Sequence, residues 1–181
     1  MKLSKNLTLK EVTKSNTANR LGIDNSPEEF DIKNLRAIAE EVFQPLRDHF
    51  GVPLYISSGF RCKELNNVIG GSKYSQHKAG QALDIDADVY GRVTNRELFR
   101  FIKENLIFDQ LIWEFGDDDS PDWVHVSYRN EGSYALLLLL TFLPHTVLTE
   151  IYPLRLINRL QTEALDGLKW FSMRNRLALQ V

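Results

Sequence analysis

Two short segments restrict the fold of this chain more than any others: Gln81 to Asp86 (QALDID) and Trp123 to Tyr128 (WVHVSY). Both alternate with period two, the pattern of a strand with one buried face. In the first, Ala82, Asp84 and Asp86 share a face opposite Leu83 and Ile85; in the second, Trp123, His125 and Ser127 lie opposite Val124 and Val126. Two acidic side chains on one strand face cost desolvation energy unless they are paired or hold a cation. His77 lies seven residues before Asp84, just ahead of a glycine turn, and that loop-to-strand geometry can bring its imidazole to the carboxylate. Asp122, three residues before His125, follows Pro121 at a turn and so points away from the strand direction. Taken singly, each stretch has a plainer reading, as a solvated histidine at a polar sheet edge or a histidine satisfied among valines. Taken together they offer His77, Asp84 and His125, one ligand short of a closed tetrahedral site, as in a catalytic zinc centre. A carboxylate nearby would accept the proton of an acidified water.

The rest of the chain supplies helices and strands without regular alternation. Leu7 to Arg20 reads as a short helix. Ser26 is placed to cap a second, with Pro27 at its first position and Glu28 and Glu29 in its first turn. Ile32, Leu35, Ile38, Ala39, Val42, Phe43 and Leu46 then repeat at helical spacing toward Gly51, with Pro45 bending the helix or marking its last turn. Val52 to Ser57 is expected as a strand, followed by a polar loop through Gly70 and Gly71. Thr94 to Asn105 is a further helix, Phe108 to Phe115 a further strand, and Asp117 to Pro121 a turn. The class expected is α+β, a small antiparallel or mixed sheet with flanking helices.

Composition removes several functions. Across 181 residues, 22 Lys and Arg against 24 Asp and Glu leave a net charge of −2, without the basic footprint that nucleic-acid binding requires. A single cysteine, Cys62, forms no internal disulfide, and no second cysteine or obvious histidine stands near it in sequence as a nucleophile's partner. Of the four histidines, His49 sits at a helix end and His145 follows Pro144 in the tail; neither is enlisted as a ligand.

The combined pattern Ser75-x-His77-x6-Asp84 with Asp122-x-x-His125-x-Ser127 resembles the M15 zinc peptidases, which include D-Ala-D-Ala carboxypeptidases and dipeptidases and phage L-alanyl-D-glutamate endopeptidases. Ser57-Ser58-Gly59-Phe60-Arg61 is similar to the family's segment bearing a substrate-binding arginine, and Asn66 to Ser72 to the loop before the first metal histidine. The entry Asn16 to Asn25 is similar to that of the compact, phage-type branch. The resemblance covers roughly residues 1–130 and implies an M15 (hedgehog/D-Ala-D-Ala peptidase-like) fold. It implies Zn2+ held by His77, Asp84 and His125, with Asp122 as general base. It further implies that Arg61 pairs with a substrate carboxylate or the oxyanion, and that Ser75 helps hold substrate. Asp86 is then a candidate to orient a metal ligand from behind, and Ser127 or Trp123 either shapes the pocket or packs.

The implied function is hydrolysis of peptidoglycan stem peptides beside a D-amino acid, in lysis or remodelling of the wall. Two alternatives stand beside it: a D-Ala-D-Ala carboxypeptidase or dipeptidase, and a catalytically silent zinc-binding module that recognises the wall. Met1 to Val12 lacks a continuous apolar core of the kind a secretory signal carries, so synthesis in the cytoplasm and release to the wall are expected. The domain is expected over 1–132. From Ser133 the texture changes: fourteen of the last 48 residues are leucine, unlike the polar ending of compact members. Tyr134 to Leu143 would span roughly 15 Å as a helix, about half a bilayer core, so membrane contact is confined to residues 134–150. A membrane-associating extension, an added helical subdomain and a shifted reading frame each account for the segment 133–181.

Overall fold

A computed structural model describes residues 1–129; the extension 133–181, the stretch 134–150, His145 and the expected boundary at 132 lie outside the described residues. Helices α1 (Leu9–Thr13), α2 (Asn16–Leu21), α3 (Glu29–Ile38) and α4 (Gln44–Phe50) precede strand β1 (Tyr55–Ser58). After helix α5 (Lys63–Val68) and a 3-10 turn at Gln76–Ala79 come β2 (Ala82–Asp86), α6 (Asn95–Asn105), β3 (Gln110–Glu114) and β4 (Trp123–Ser127). The four strands form one sheet in the order β1-β2-β4-β3, antiparallel throughout, so the chain is α+β.

Burial of one sheet face sets this arrangement. Leu83, Ile85, Val124 and Val126 are fully buried, in one core with Leu35, Ile38, Val42, Phe43 and Leu46 of the long helical run and Leu98 and Ile102 of α6. The opposite face carries Asp84, directly across from His125, with Ile112 across from His125 on its other side. Alternation therefore does what the strand patterns require, sending the aliphatic side chains into the core and the polar ones to the far face.

Four local expectations are corrected. The single helix expected over Leu7 to Arg20 is two, because Thr8 and Ser15 each cap a separate start: Ser15 accepts the Ala18 N–H at 3.1 Å. The next helix is capped at Glu28 and not at Ser26. The Asp31 carboxylate accepts the Glu28 N–H at 3.1 Å, while the Ser26 N–H is taken by Asp24 at 3.0 Å. Pro45 does not mark the last turn of that helix: it is the second residue of α4, which runs on to Phe50, and the preceding turn, Ala39–Phe43, widens to a π-helix, which relieves the clash a proline ring makes with the carbonyl four residues back. The polar loop expected between Ser58 and Gly70 contains α5, whose buried side is only Leu65 and the polar Asn66, too little apolar periodicity to signal a helix.

Gly80 joins the 3-10 turn bearing His77 to β2, at φ +67°, where a Cβ would lie 2.6 Å from the Asp31 carbonyl oxygen of α3. Substitution there adds steric overlap to left-handed strain. Gly80→Ala is expected to lower unfolding free energy by about 2–4 kcal/mol in urea titrations. Gly22→Ala, at φ +66° with nothing within 4 Å of its Cβ, should cost only about 1–2 kcal/mol.

Candidate metal centre

The 3-10 turn Gln76–Ala79 is wound between Ser75 and Gly80, and it carries His77 to the polar face of the sheet. His77 Nε2 lies 3.2 Å from Asp84 Oδ1 and 3.2 Å from His125 Nδ1, and His125 Nδ1 lies 2.8 Å from the same Asp84 oxygen. The side chains of all three residues are buried, and a ligand atom from each falls within 4.8 Å of the others. The cluster thus gathers two nitrogens and one carboxylate oxygen from a turn and two adjacent strands.

Proton bookkeeping around these atoms shows what the cluster suits. His77 Nδ1 is 2.6 Å from the Gly59 carbonyl oxygen, an acceptor, so that nitrogen carries the hydrogen and Nε2 presents a lone pair. Asp84 Oδ1 is also an acceptor. The His125 Nδ1 proton can serve the Asp84 oxygen at 2.8 Å, but it leaves His77 Nε2 and Asp84 Oδ1 as two acceptors 3.2 Å apart. A second proton on His77 would relieve that contact, yet burial pushes the His77 ring below its ordinary value, against the pull of Asp84. A cation satisfies every lone pair at once. A tetrahedral zinc bound at about 2.0–2.1 Å would separate its ligand atoms by about 3.3 Å, close to the two 3.2 Å separations from His77 Nε2, while the 2.8 Å pair of Asp84 and His125 would have to part slightly. The donor set, two imidazoles and a carboxylate, fits zinc, with His77 binding through Nε2 and His125 through Nδ1.

Arg61 stands behind the ligands. Its Nη2 donates to the second Asp84 oxygen, Oδ2, at 3.2 Å, leaving Oδ1 toward the histidines. Burial lowers the Arg61 pKa, and the charges of Asp84 and Glu114 oppose that shift. For Asp84, burial alone would raise the carboxyl; the hydrogen bonds and charges of His125 and His77 outweigh it and hold the group well below the carboxylate range. Arg61 also lines an open cleft with Lys14, Ser57, Ser58 and Ile69, between the start of α2, β1 and α5.

The other candidate residues divide. Asp122 is exposed and immediately precedes β4; its N–H bonds the Glu114 carbonyl at 3.0 Å and its own carbonyl accepts from Asn95 at 2.9 Å. Ser75 opens the 3-10 turn without capping it through its side chain. Asp86 makes no hydrogen bond to either histidine ring among the described residues. It accepts from Asn95 Nδ2 at 3.1 Å, and the Gly59 carbonyl takes the place expected for it behind His77. Ser127 is fully buried, and its hydroxyl accepts the Gln110 N–H at 3.0 Å, which joins β4 to β3.

Three supporting residues escaped the sequence reading. The Gly59 carbonyl carries no side-chain signal at all. Asn25 donates to the Thr13 and Phe60 carbonyls, both at 3.0 Å, and accepts the Cys62 N–H at 2.7 Å, which pins the loop of Gly59 and Arg61. Asn95 is fully buried in line with Leu98 and Ile102, and a polar residue on the apolar stripe of a helix was a legible signal.

The metal-free protein is expected to bind one zinc ion per chain, with His77→Ala or His125→Ala weakening affinity at least about 100-fold in chelator competition. The depressed His77 pKa also has a sign. The unfolded chain takes up a proton near the ordinary 6.5 while the folded ring resists, so this contribution to stability is full above that pH and is lost on acidification. The thermal midpoint of metal-free protein should therefore fall as pH drops from 7 through 6, whereas proton competition for the His77 nitrogen should weaken zinc binding only at lower pH, because the folded ring resists protonation.

The profile of the family described as Peptidase M15 matches residues 5–127, a span that takes in all three metal-competent side chains, Arg61 and Asp122. No curated protein matches the chain significantly. Among the described residues no helix is long and apolar enough to cross a membrane. With most of the chain matched by that profile and the His-Asp-His cluster assembled inside it, the chain belongs to the M15 peptidase family.

Proposed function

We propose that the protein is a zinc metallopeptidase that cleaves peptidoglycan stem peptides at a bond beside a D-amino acid, acting at the bacterial cell wall as an endolysin-like enzyme. The observation that carries this reading is the convergence of His77 Nε2, Asp84 Oδ1 and His125 Nδ1 in a member of this peptidase family, with Asp122 three residues before the last ligand.

The division of labour follows from the chemistry of each group. Zinc, when bound, supplies Lewis acidity to acidify water and polarise a carbonyl. Asp122 takes the proton of the attacking water and returns it to the nitrogen of the leaving amine. It is exposed and makes no side-chain hydrogen bond among the described residues, so its carboxylate is free to face substrate. Arg61 keeps one N–H on Asp84 and has further donors for a substrate carboxylate or for the charge that develops on the scissile carbonyl oxygen. The cleft that Lys14 lines meets the centre at Arg61, and two cations on its lining with no carboxylate suit the acidic end of a stem peptide that extends beyond the cleaved bond. Ser75, at the mouth of the His77 turn, contributes a hydroxyl to substrate.

Asp122→Ala is expected to lower turnover of purified peptidoglycan by about 10²–10⁴-fold while leaving zinc stoichiometry at one. Turbidity loss and chelator competition measure the two. Product analysis on defined stem peptides sets the bond: internal cleavage supports the endopeptidase, whereas release of D-Ala alone would replace it with a carboxypeptidase. Peptidoglycan binding without turnover, unchanged by Asp122→Ala, would leave a wall-recognition module.

A further inference from the structure

Asn95 lies at the start of α6, outside the motifs that carry the chemistry, and it is fully buried. Its Oδ1 accepts the Ala87 N–H at 2.7 Å, just beyond β2. Its Nδ2 donates to Asp86 Oδ1 at 3.1 Å, to the Pro121 carbonyl at 3.2 Å and to the Asp122 carbonyl at 2.9 Å, one hydrogen being shared. Its own N–H goes to Asp88 at 3.2 Å. A single amide therefore ties the exit of the strand bearing Asp84 to the two peptide units that flank Asp122.

The same turn is held from the other side. The Asp122 N–H bonds the Glu114 carbonyl at 3.0 Å, and the Asp117 N–H bonds the Ser120 carbonyl at 3.0 Å. Gly116 sits so close beneath it that a Cβ would lie 2.7 Å from Pro121 Cα and 2.9 Å from the Asp122 nitrogen. The backbone of Asp122 is thus fixed at its N–H by β3 and at its carbonyl by Asn95. Asp86, placed on the face of Asp84 by strand alternation, meets this amide and neither histidine ring.

We propose that Asn95, oriented by Asp86, is a positioning residue that sets where the Asp122 carboxylate stands relative to His125. The proposal rests on Asp122 serving as general base. A base displaced by about 1 Å loses on the order of 100-fold in rate, so a mobile turn would show in turnover before it showed in metal or substrate binding. Asn95→Asp keeps the shape and the acceptor for Ala87 but removes the donors to Asp86, Pro121 and Asp122.

The test is a double-mutant cycle on the full chain with zinc bound, using a defined stem peptide in single-turnover kinetics. Asn95→Asp should lower the cleavage rate by about 10- to 100-fold with KM and zinc affinity unchanged. In the Asp122→Ala background the same change should have no further effect. Hydrogen exchange, which needs no turnover, should quicken on the order of tenfold at the Asp122 amide and not at Val126. If Asn95→Asp does not fold, Asp86→Asn takes its place in the same cycle, with a smaller loss expected. A wild-type rate in these variants while Asp122→Ala is inactive would overturn the proposal alone, as would losses that multiply across the cycle. Full turnover by Asp122→Ala would overturn the base assignment and this role with it.

Discussion

The pairing of β2 with β4 that sets Asp84 opposite His125 is the constraint on which the rest of the molecule depends. Side chains alternate along a strand, so a one-residue slip would turn every one of them to the other face. Leu83, Ile85, Val124 and Val126 would leave the core, at roughly 1.5–3 kcal/mol each, and Asp84 and His125 would enter it. The register is therefore held by aliphatic burial, and the candidate metal ligands Asp84 and His125 are placed by the aliphatic neighbours that alternate with them. His77 comes to the same point along a different route, through the 3-10 turn closed by Gly80 against α3.

Around the ligands lies a layer contributed by the entry of the chain. The Gly59 carbonyl fixes the His77 ring, the Arg61 N–H bonds the His77 carbonyl at 3.2 Å, and the Arg61 side chain holds the outer oxygen of Asp84. That loop is anchored in turn by Asn25 and by the Val12 carbonyl, which accepts the Phe60 N–H at 2.7 Å. The segment Asn16 to Asn25 thus contributes to the centre without supplying a ligand: it ends in the amide that keeps two ligands oriented. Outer hydrogen bonds of this kind fix the tautomer and direction of a metal-binding imidazole.

The centre divides into a buried part and an exposed part for a physical reason. Groups that hold a metal must be dry and rigid to keep fixed angles, and the candidate ligands His77, Asp84 and His125 are all buried. Asp122, the base in the proposed mechanism, is exposed as a carboxylate that meets substrate must be, and its backbone is held at the carbonyl by Asn95. Asn95 and Asp86 hold that backbone from inside the protein, and the Asp122 carboxylate stays open to solvent.

Much of this was legible beforehand. Period-two alternation identified both ligand strands and the faces of Asp84 and His125, because alternation follows from backbone geometry alone. Motif spacing placed His77 with these two residues, and helical periodicity found α6 and the long run into α4. The partners that join distant segments were not legible. The resemblance makes Asp86 a candidate to orient a metal ligand, but the group it meets is Asn95 of α6, and that depends on where α6 packs. Asn25 and the Gly59 carbonyl act only when residues more than thirty positions apart, or a backbone atom without any side chain, come within hydrogen-bond distance. The linear chain determined which side chains can bind a metal and which way each strand turns them, since those properties are local. Tertiary structure alone decided which acceptor each imidazole meets, which amide holds the Asp122 turn and which oxygen of Asp84 Arg61 occupies, because those contacts exist only once the core has brought the elements together.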